Sequence, residues 1–455
     1  MQRLSSETVS LLDTLLCVGA APTFSTAGVI YPKAAHPFDS PDADVVFRSS
    51  DKVDFRVHSI ILSIASPIFA GVRFPKSTQS NSAEQPWTPL AIEVQEHSTT
   101  LDCLFRLCYP VTDPTFDDLK SVRVVYEAAK KYRMSEAVSL MRTTLQSFIP
   151  QAPLRVWAIS CILELEKEAH AAADHLLKFK FPSAAIAEYH EVYAGAYFRL
   201  RRYLNKGVAD ANYTFCALDP DEAAALPALG SLYLSESDIG IFSDYADVTC
   251  RARDGADFAA HKVVLAMSST LLADMIKGAD RRFEKSPSSA DRRSSSGSSH
   301  TTPVDRPVLR FSCTGPVLKK LLSLCYNPTS SWLRKISVAG LVSLMVYARE
   351  YRMDRVLDIV SKEFREASAS LALPCYLLAT NHLFDKEKAM AEFWICEDPL
   401  RHGYVREMES VKAWAYHELV EKHRALKHSK VSEVATRKAP RKGTNAAPAL
   451  TSSNH

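Results

Sequence analysis

The chain has 455 residues, 47% of them hydrophobic and 24% charged, enough for about two to four ordinary domains with their own cores. A formal net charge of +3 supplies no concentrated basic surface of the kind that nucleic-acid binding requires. No apolar run approaches the ~18 residues needed to span a bilayer, so the expectation is a soluble intracellular protein, cytoplasmic, nuclear or both, that binds neither nucleic acid nor membrane directly.

Residues 1–38 read as a leader. Their opening superficially resembles a signal peptide, but Glu7 and Asp13 interrupt the apolar stretch and only Arg3 supplies an early positive charge. From residue 43 the chain repeats itself. Ala43–Ala70 aligns without a gap on Ala246–Ala273, with 11 of 28 positions identical: Ala43/Ala246, Asp44/Asp247, Val45/Val248, Arg48/Arg251, Asp51/Asp254, Asp54/Asp257, Phe55/Phe258, His58/His261, Leu62/Leu265, Ser66/Ser269 and Ala70/Ala273. Downstream, Leu101–Tyr109 parallels Leu318–Tyr326, and Ala129–Met134 parallels Ala348–Met353. Later still, Val192, Ala194, Ala196, Tyr197 and Leu200 match Val411, Ala413, Ala415, Tyr416 and Leu419. Collinear matches of this kind mark a duplication.

In each copy, Asp44–Arg48 and Val53–Val57 or their counterparts alternate about a polar turn, as a hairpin does. His58–Gly71 and His261–Gly278 follow with helical spacing and close at glycines. A short strand comes next, at Ala91–Val94 or Val308–Phe311, and the remainder is helical: Thr99–Cys108, Phe116–Met134 and Glu136–Phe148, with Leu318–Cys325, Val338–Met353 and Arg355–Glu366 as counterparts. Strands first and then a helical run give an α+β class. The predicted layout is a first module at 39–150, a helical section at 151–205 and a polar linker at 206–240. A second module follows at 241–368, with a disordered Ser-rich insert at 285–303, then a helical section at 369–426 and a disordered basic tail at 427–455.

The run Asp-Val, hairpin, Phe-x-x-His-x-x-x-Leu-x-x-x-Ser, followed by a Leu-rich helix ending in Tyr, resembles the opening of a BTB/POZ domain, and Ala260-His261-Lys262-Val263-Val264-Leu265 is the nearer match. The chain thus resembles a tandem BTB/POZ domain-containing protein, and its helical sections look more like those of fungal, basidiomycete-type BTB proteins than like the corresponding regions of animal adaptors. The resemblance implies small sheets with surrounding helices, and association through the N-terminal helix-and-strand face. The partners it implies are other BTB proteins, a second copy of the chain or a cullin scaffold, and the chain would be a monomer with an internal pseudo-dimer or a homodimer. Phe69 stands where the family places an aromatic that assists the cullin contact, which makes it the candidate partner contact.

Asp44/His58 and Asp247/His261 are the pairs most easily mistaken for catalytic ones. They sit in apolar hairpin-to-helix contexts with no nucleophile elbow nearby, and are read here with Phe55, Leu62, Ser66, Phe258, Leu265 and Ser269 as structural residues. No GxGxxG or GxxxxGK[ST] loop and no HExxH occur, so no catalytic, cofactor-binding or metal-binding residue is expected. The ten cysteines lack CxxC spacing and read as small buried hydrophobes. Ser294, Ser295 and Ser296 follow Arg292-Arg293 as candidate phosphorylation sites. Arg437-Lys438 and Arg441-Lys442 form a candidate nuclear-import cluster. The leading expectation is a non-enzymatic interaction scaffold. The alternatives are a substrate adaptor of a cullin-type ubiquitin ligase, a nuclear transcriptional regulator and, from a different class, a hydrolase using Asp44/His58.

Overall fold

The computed structural model describes residues 31–71, 91–179, 185–218, 245–284, 306–327, 331–395 and 402–438. The chain divides into two compact units. One comprises Met1–Pro182 with Lys206–Cys216, the other Ser183–Asn205 with Ala217–His455.

In the first unit, β1 (Val45–Arg48) and β2 (Asp54–Val57) pair antiparallel, with Val45 opposite Val57 and Phe47 opposite Phe55. β3 (Ala91–Glu93) adds in parallel on the other side, giving the order β2-β1-β3. The central strand is buried on both faces, Arg48 included. Its guanidinium is neutralised by a bidentate pair with Asp54 at 2.7 and 3.0 Å. Lys52 turns the hairpin at φ 65°; the second unit has Gly255 in that place at φ 86°, the residue that enters this region without a Cβ penalty. The helices of this unit are α1 (Ser59–Ala65), α2 (Pro67–Gly71), α3 (Ser98–Arg106), α4 (Leu119–Lys131), α5 (Ser135–Ser147), α6 (Pro153–Ile162) and α7 (Glu166–Lys178). Phe38, Phe47, Phe55 and Phe105 meet at ring centroids 5.4–6.0 Å apart, mostly edge-on, and form the centre of the core.

The second unit repeats this plan. β4 (Val248–Arg251), β5 (Asp257–Ala260) and β6 (Val308–Arg310) reproduce the register and the order β5-β4-β6. α9 (Lys262–Ser268), α10 (Thr270–Glu284), α11 (Gly315–Tyr326), α12 (Val338–Glu350), α13 (Asp354–Ser368), α14 (Ala372–Asn381) and α15 (Asp385–Trp394) follow in step with α1 to α7. This unit also holds α8 (Ala194–Lys206) up to Asn205, and α16 (Ala413–Lys438).

Four helix pairs in the two units turn on one device. Arg133, Glu164, Arg352 and Leu383 adopt φ between 51° and 61°. In each case the next residue donates its N–H five positions back, as in Met134 to Ala129 (2.9 Å) and Met353 to Ala348 (2.8 Å), which is the Schellman closure. The Tyr-Arg-Met matches seen in the sequence are these turns, which is why α4 and α12 stop before the tyrosine.

Several boundaries differ from the sequence reading. His58–Gly71 is two helices, because Ser66 is extended (φ −144°, ψ 124°) and Pro67 disfavours a helical residue before it. The second copy also breaks, at an extended Ser269 (φ −160°, ψ 134°), with Thr270 in place of the proline, and α10 runs through Gly278 to Glu284. The end of the expected leader is part of the first unit: Phe38 and Ala34 belong to the first core, and Ala34 N–H bonds Asp54 O at 2.9 Å. The polar linker begins inside the first unit, where Phe215 is fully buried and the Glu166 carboxylate accepts the N–H groups of Phe215 (2.6 Å) and Cys216 (2.9 Å). The last part of the first helical section, Ser183–Asn205, packs in the second unit. α16 continues to Lys438, past residue 427 where the tail was expected to start. The Ser-rich insert with Ser294, Ser295 and Ser296, and Arg441-Lys442, lie outside the described residues.

Candidate functional site

The polar residues shared by the two copies hold the fold together. Asp44 accepts the N–H of Ser59 at 2.7 Å and also its hydroxyl, and Asp247 accepts the N–H of Lys262 at 2.7 Å. Each carboxylate thereby serves the free N–H groups that open α1 and α9. Burial acts to raise the Asp44 carboxyl, but the Ser59 hydrogen bonds outweigh it and hold the group below the usual range. Asp51 does the same for α3, accepting Ser98 N–H (2.9 Å) and Oγ (2.6 Å), and Asp254 accepts Gly315 N–H at 2.8 Å at the start of α11.

His58 donates its backbone N–H to the Tyr109 hydroxyl at 2.7 Å, and its Nδ1 lies 3.2 Å from the same oxygen. His261 and Tyr326 repeat both contacts at 2.9 Å. Ser66 Oγ donates to Tyr132 O at 2.6 Å and accepts from Ile68 and Phe69 N–H at 3.2 and 3.4 Å. Ser269 Oγ donates to Tyr351 O at 2.5 Å and accepts from Leu272 N–H at 3.2 Å. In each copy one serine ties the start of the second helix to the Schellman turn. Leu62 and Leu265 are fully buried; Phe55 is 2% exposed, but its counterpart Phe258 is only half-buried.

Phe69 is a core residue, 7% exposed, stacked on Tyr132 at 5.3 Å and edge-on to Phe47 at 5.6 Å. A ring so placed has little surface to give a partner. Among the described residues the cysteines are free thiols. Burial pushes Cys108, Cys313, Cys325 and Cys375 up to about 11 and Cys250 to about 12, so they are protonated hydrophobes at neutral pH. No group of three or more His, Cys, Asp or Glu that could hold a metal ion occurs among the described residues, and no helix there is long and apolar enough to cross a membrane.

Both modules offer an apolar pair outward, on α1 and on α9. Ile60 and Ile64 are 65% and 81% exposed, and Val263 and Met267, at the same places in the second copy, are 64% and 84% exposed. The i, i+4 spacing puts each pair on one helix face, opposite buried Leu62 or Leu265. Lone exposed aliphatics are common; the same two positions exposed in both diverged copies form a repeated apolar face. The sequence reading overlooked it, because SIILSIA is apolar nearly all round and its pattern does not say which side meets the core.

The BTB/POZ domain family model matches residues 38–149 and 241–368. No curated protein matches the chain. With more than half of the 455 residues matched and the same bonded frame built twice, the chain belongs to the BTB/POZ domain family of protein-protein interaction modules.

Proposed function

We propose that the protein is a bivalent interaction scaffold in which the α1 face of the first module and the α9 face of the second each dock on a BTB face of a second copy of the chain. The observation that carries this reading is the matched exposure of Ile60/Val263 and Ile64/Met267. Apolar side chains held in water at the same two places of both modules gain roughly 1.5–3 kcal/mol each on full burial, and their seats on rigid helices keep the cost of ordering them low. Two faces per chain allow one contact to raise the effective concentration for the next. The shared aspartates, histidines and serines are committed to internal hydrogen bonds, which supports binding rather than catalysis as the modules' work.

The test is light scattering of the full chain over a range of concentrations, with Ile64→Glu, Met267→Glu and the double variant beside it. Both side chains point into solvent, so the substitutions leave the fold intact. Each single variant should weaken association at least about tenfold, equivalent to roughly 1.4 kcal/mol, and the double variant should be monomeric. A wild-type chain that stays monomeric at about 0.1 mM, or a double variant that associates like wild type, refutes the proposal.

A further inference from the structure

Independently of those faces, we infer that the segments ending the two repeats, residues 185–205 and 402–426, form a pseudo-two-fold clasp whose side chains select the mixed pair over either like pair. All the contacts involved lie within the second unit. Tyr193 and Lys412 face each other in an antiparallel bridge. Ala194 N–H donates to Val411 O at 2.8 Å, and Ala413 N–H donates to Val192 O at 2.8 Å. Val192 and Ala194 are the residues that match Val411 and Ala413 in the duplication, so exchanging the two segments maps one hydrogen bond onto the other. That is the signature of a two-fold contact, in which residues on the axis meet their own equivalents. Tyr197 and its match Tyr416 meet edge-on at 6.1 Å. A one-turn 3-10 helix, Ala187–His190 or Arg406–Glu409, precedes each half. Val192, Ala194, Tyr197 and Leu200 are buried, as are Val411, Ala413, Tyr416 and Leu419.

The backbone is symmetric but the side chains are not, and each asymmetry favours the mixed pair. On the axis, Lys412 Nζ lies 3.7 Å from the centre of the Tyr193 ring and donates to Glu191 O at 2.8 Å. Two second segments would set Lys412 against Lys412, and two first segments would lose the cation. Off the axis, Gly195 makes room for the Glu409 carboxylate, into which any Cβ at that place would collide. The equivalent contact across the axis is Trp414 stacked on His190 at 5.9 Å. A like pair of second segments drives Trp414 into Glu409, whereas a like pair of first segments leaves Gly195 facing His190 across a gap. Arg199, 2% exposed, pairs with Glu409. Its equivalent, Glu418, is held instead by Lys388 and Lys422, so a like pair of second segments offers Glu409 no cation. The kind of partner this surface fits is therefore the other repeat's end segment.

Tyr193 and Lys412 form a non-hydrogen-bonded antiparallel pair, whose Cα atoms stand about 4.5 Å apart, within disulfide range. The full chain carrying Tyr193→Cys and Lys412→Cys, oxidised beside wild type and each single variant, tests the inference by peptide mapping. The expected product is a 193–412 disulfide within the double variant and, in an equimolar mixture of the two single variants where every link joins two chains, 193–412 dimers at least about tenfold more abundant than 193–193 or 412–412 dimers, a difference of roughly 1.4 kcal/mol. Like-linked dimers in comparable yield, or a double variant without the 193–412 link, overturn it.

Discussion

Replacing Ser66 by alanine removes one hydroxyl and three hydrogen bonds. The side chain is fully buried, and its Oγ lies 2.6 Å from the carbonyl of Tyr132, at the end of α4. Without it that carbonyl is left buried and short of a donor, at a cost of about 1–3 kcal/mol. The Ile68 and Phe69 N–H groups lose their cap, which is worth about 1 kcal/mol. The expected loss is thus about 2–4 kcal/mol, a large share of the roughly 5–15 kcal/mol that holds a domain. For a unit of this size, 1 kcal/mol moves the melting temperature by roughly 2–4 °C, so the first unit should melt roughly 4–16 °C lower. Ser269→Ala breaks the equivalent bond to Tyr351 and should cost the second unit about as much, since both serines do the same work. Calorimetry gives the shift, and hydrogen exchange across a urea series assigns it to the correct unit. Losses under about 1 kcal/mol in both variants would refute the reasoning that this serine, rather than the surrounding packing, joins α2 and α10 to their Schellman turns.

Phe55→Ala, at a site 2% exposed and ringed by Phe38 and Phe105, should destabilise the first unit by about 3–5 kcal/mol. Phe258→Ala, at a half-buried site, should cost less than half of that, and urea midpoints will show whether the two differ. His417 is buried, with Nδ1 3.0 Å from the Tyr197 hydroxyl. Burial holds its pKa below the ordinary 6.5; Glu421 opposes this, while Arg201 and Arg424 add to it. The folded state therefore prefers the neutral ring and the unfolded chain takes up the proton first, so the second unit should keep full stability above pH 6.5 and lose it as pH falls below that value. Thermal melts from pH 7.5 to about 5 should show this slope, and His417→Gln should reduce it, leaving the share of His382, which burial also holds low.

The duplication carried most of what was legible. Asp44 and Ser66 recur with their spacing because each side chain bonds a backbone group at a helix end, and His58 recurs with its ring against the Tyr109 hydroxyl; such bonds survive divergence only when both geometry and chemistry persist. The hairpins and the short third strand followed from alternation. The sequence did not reveal which surface covers an apolar helix. α8 has a plain buried face in Tyr197, Leu200 and Tyr203, yet periodicity records only that something covers it, and the structure assigns that role to the second unit. Phe69 is a related case: the Ser66-Pro67 pair marks the break between α1 and α2, but the sequence does not say that the break turns the ring of Phe69 onto Tyr132 and Phe47. The exposed pairs on α1 and α9 were hidden in helices too short and too uniformly apolar to show a face.

The path of the chain, first unit, second, first and second again, has a consequence for biosynthesis. The Lys206–Cys216 return can seal the first unit as soon as it leaves the ribosome. The preceding segment has to wait for its match, since Leu200 and Leu419 stand 219 positions apart. At about 5–20 residues per second that is a delay on the order of 10–40 s. Throughout it, Tyr197, Leu200 and Tyr203 lack the second-repeat residues they pack with in the folded chain. Mixed pairing does not by itself distinguish a chain's own partner from a neighbour's, so the clasp that closes a finished molecule is also the place where two nascent ones can exchange arms.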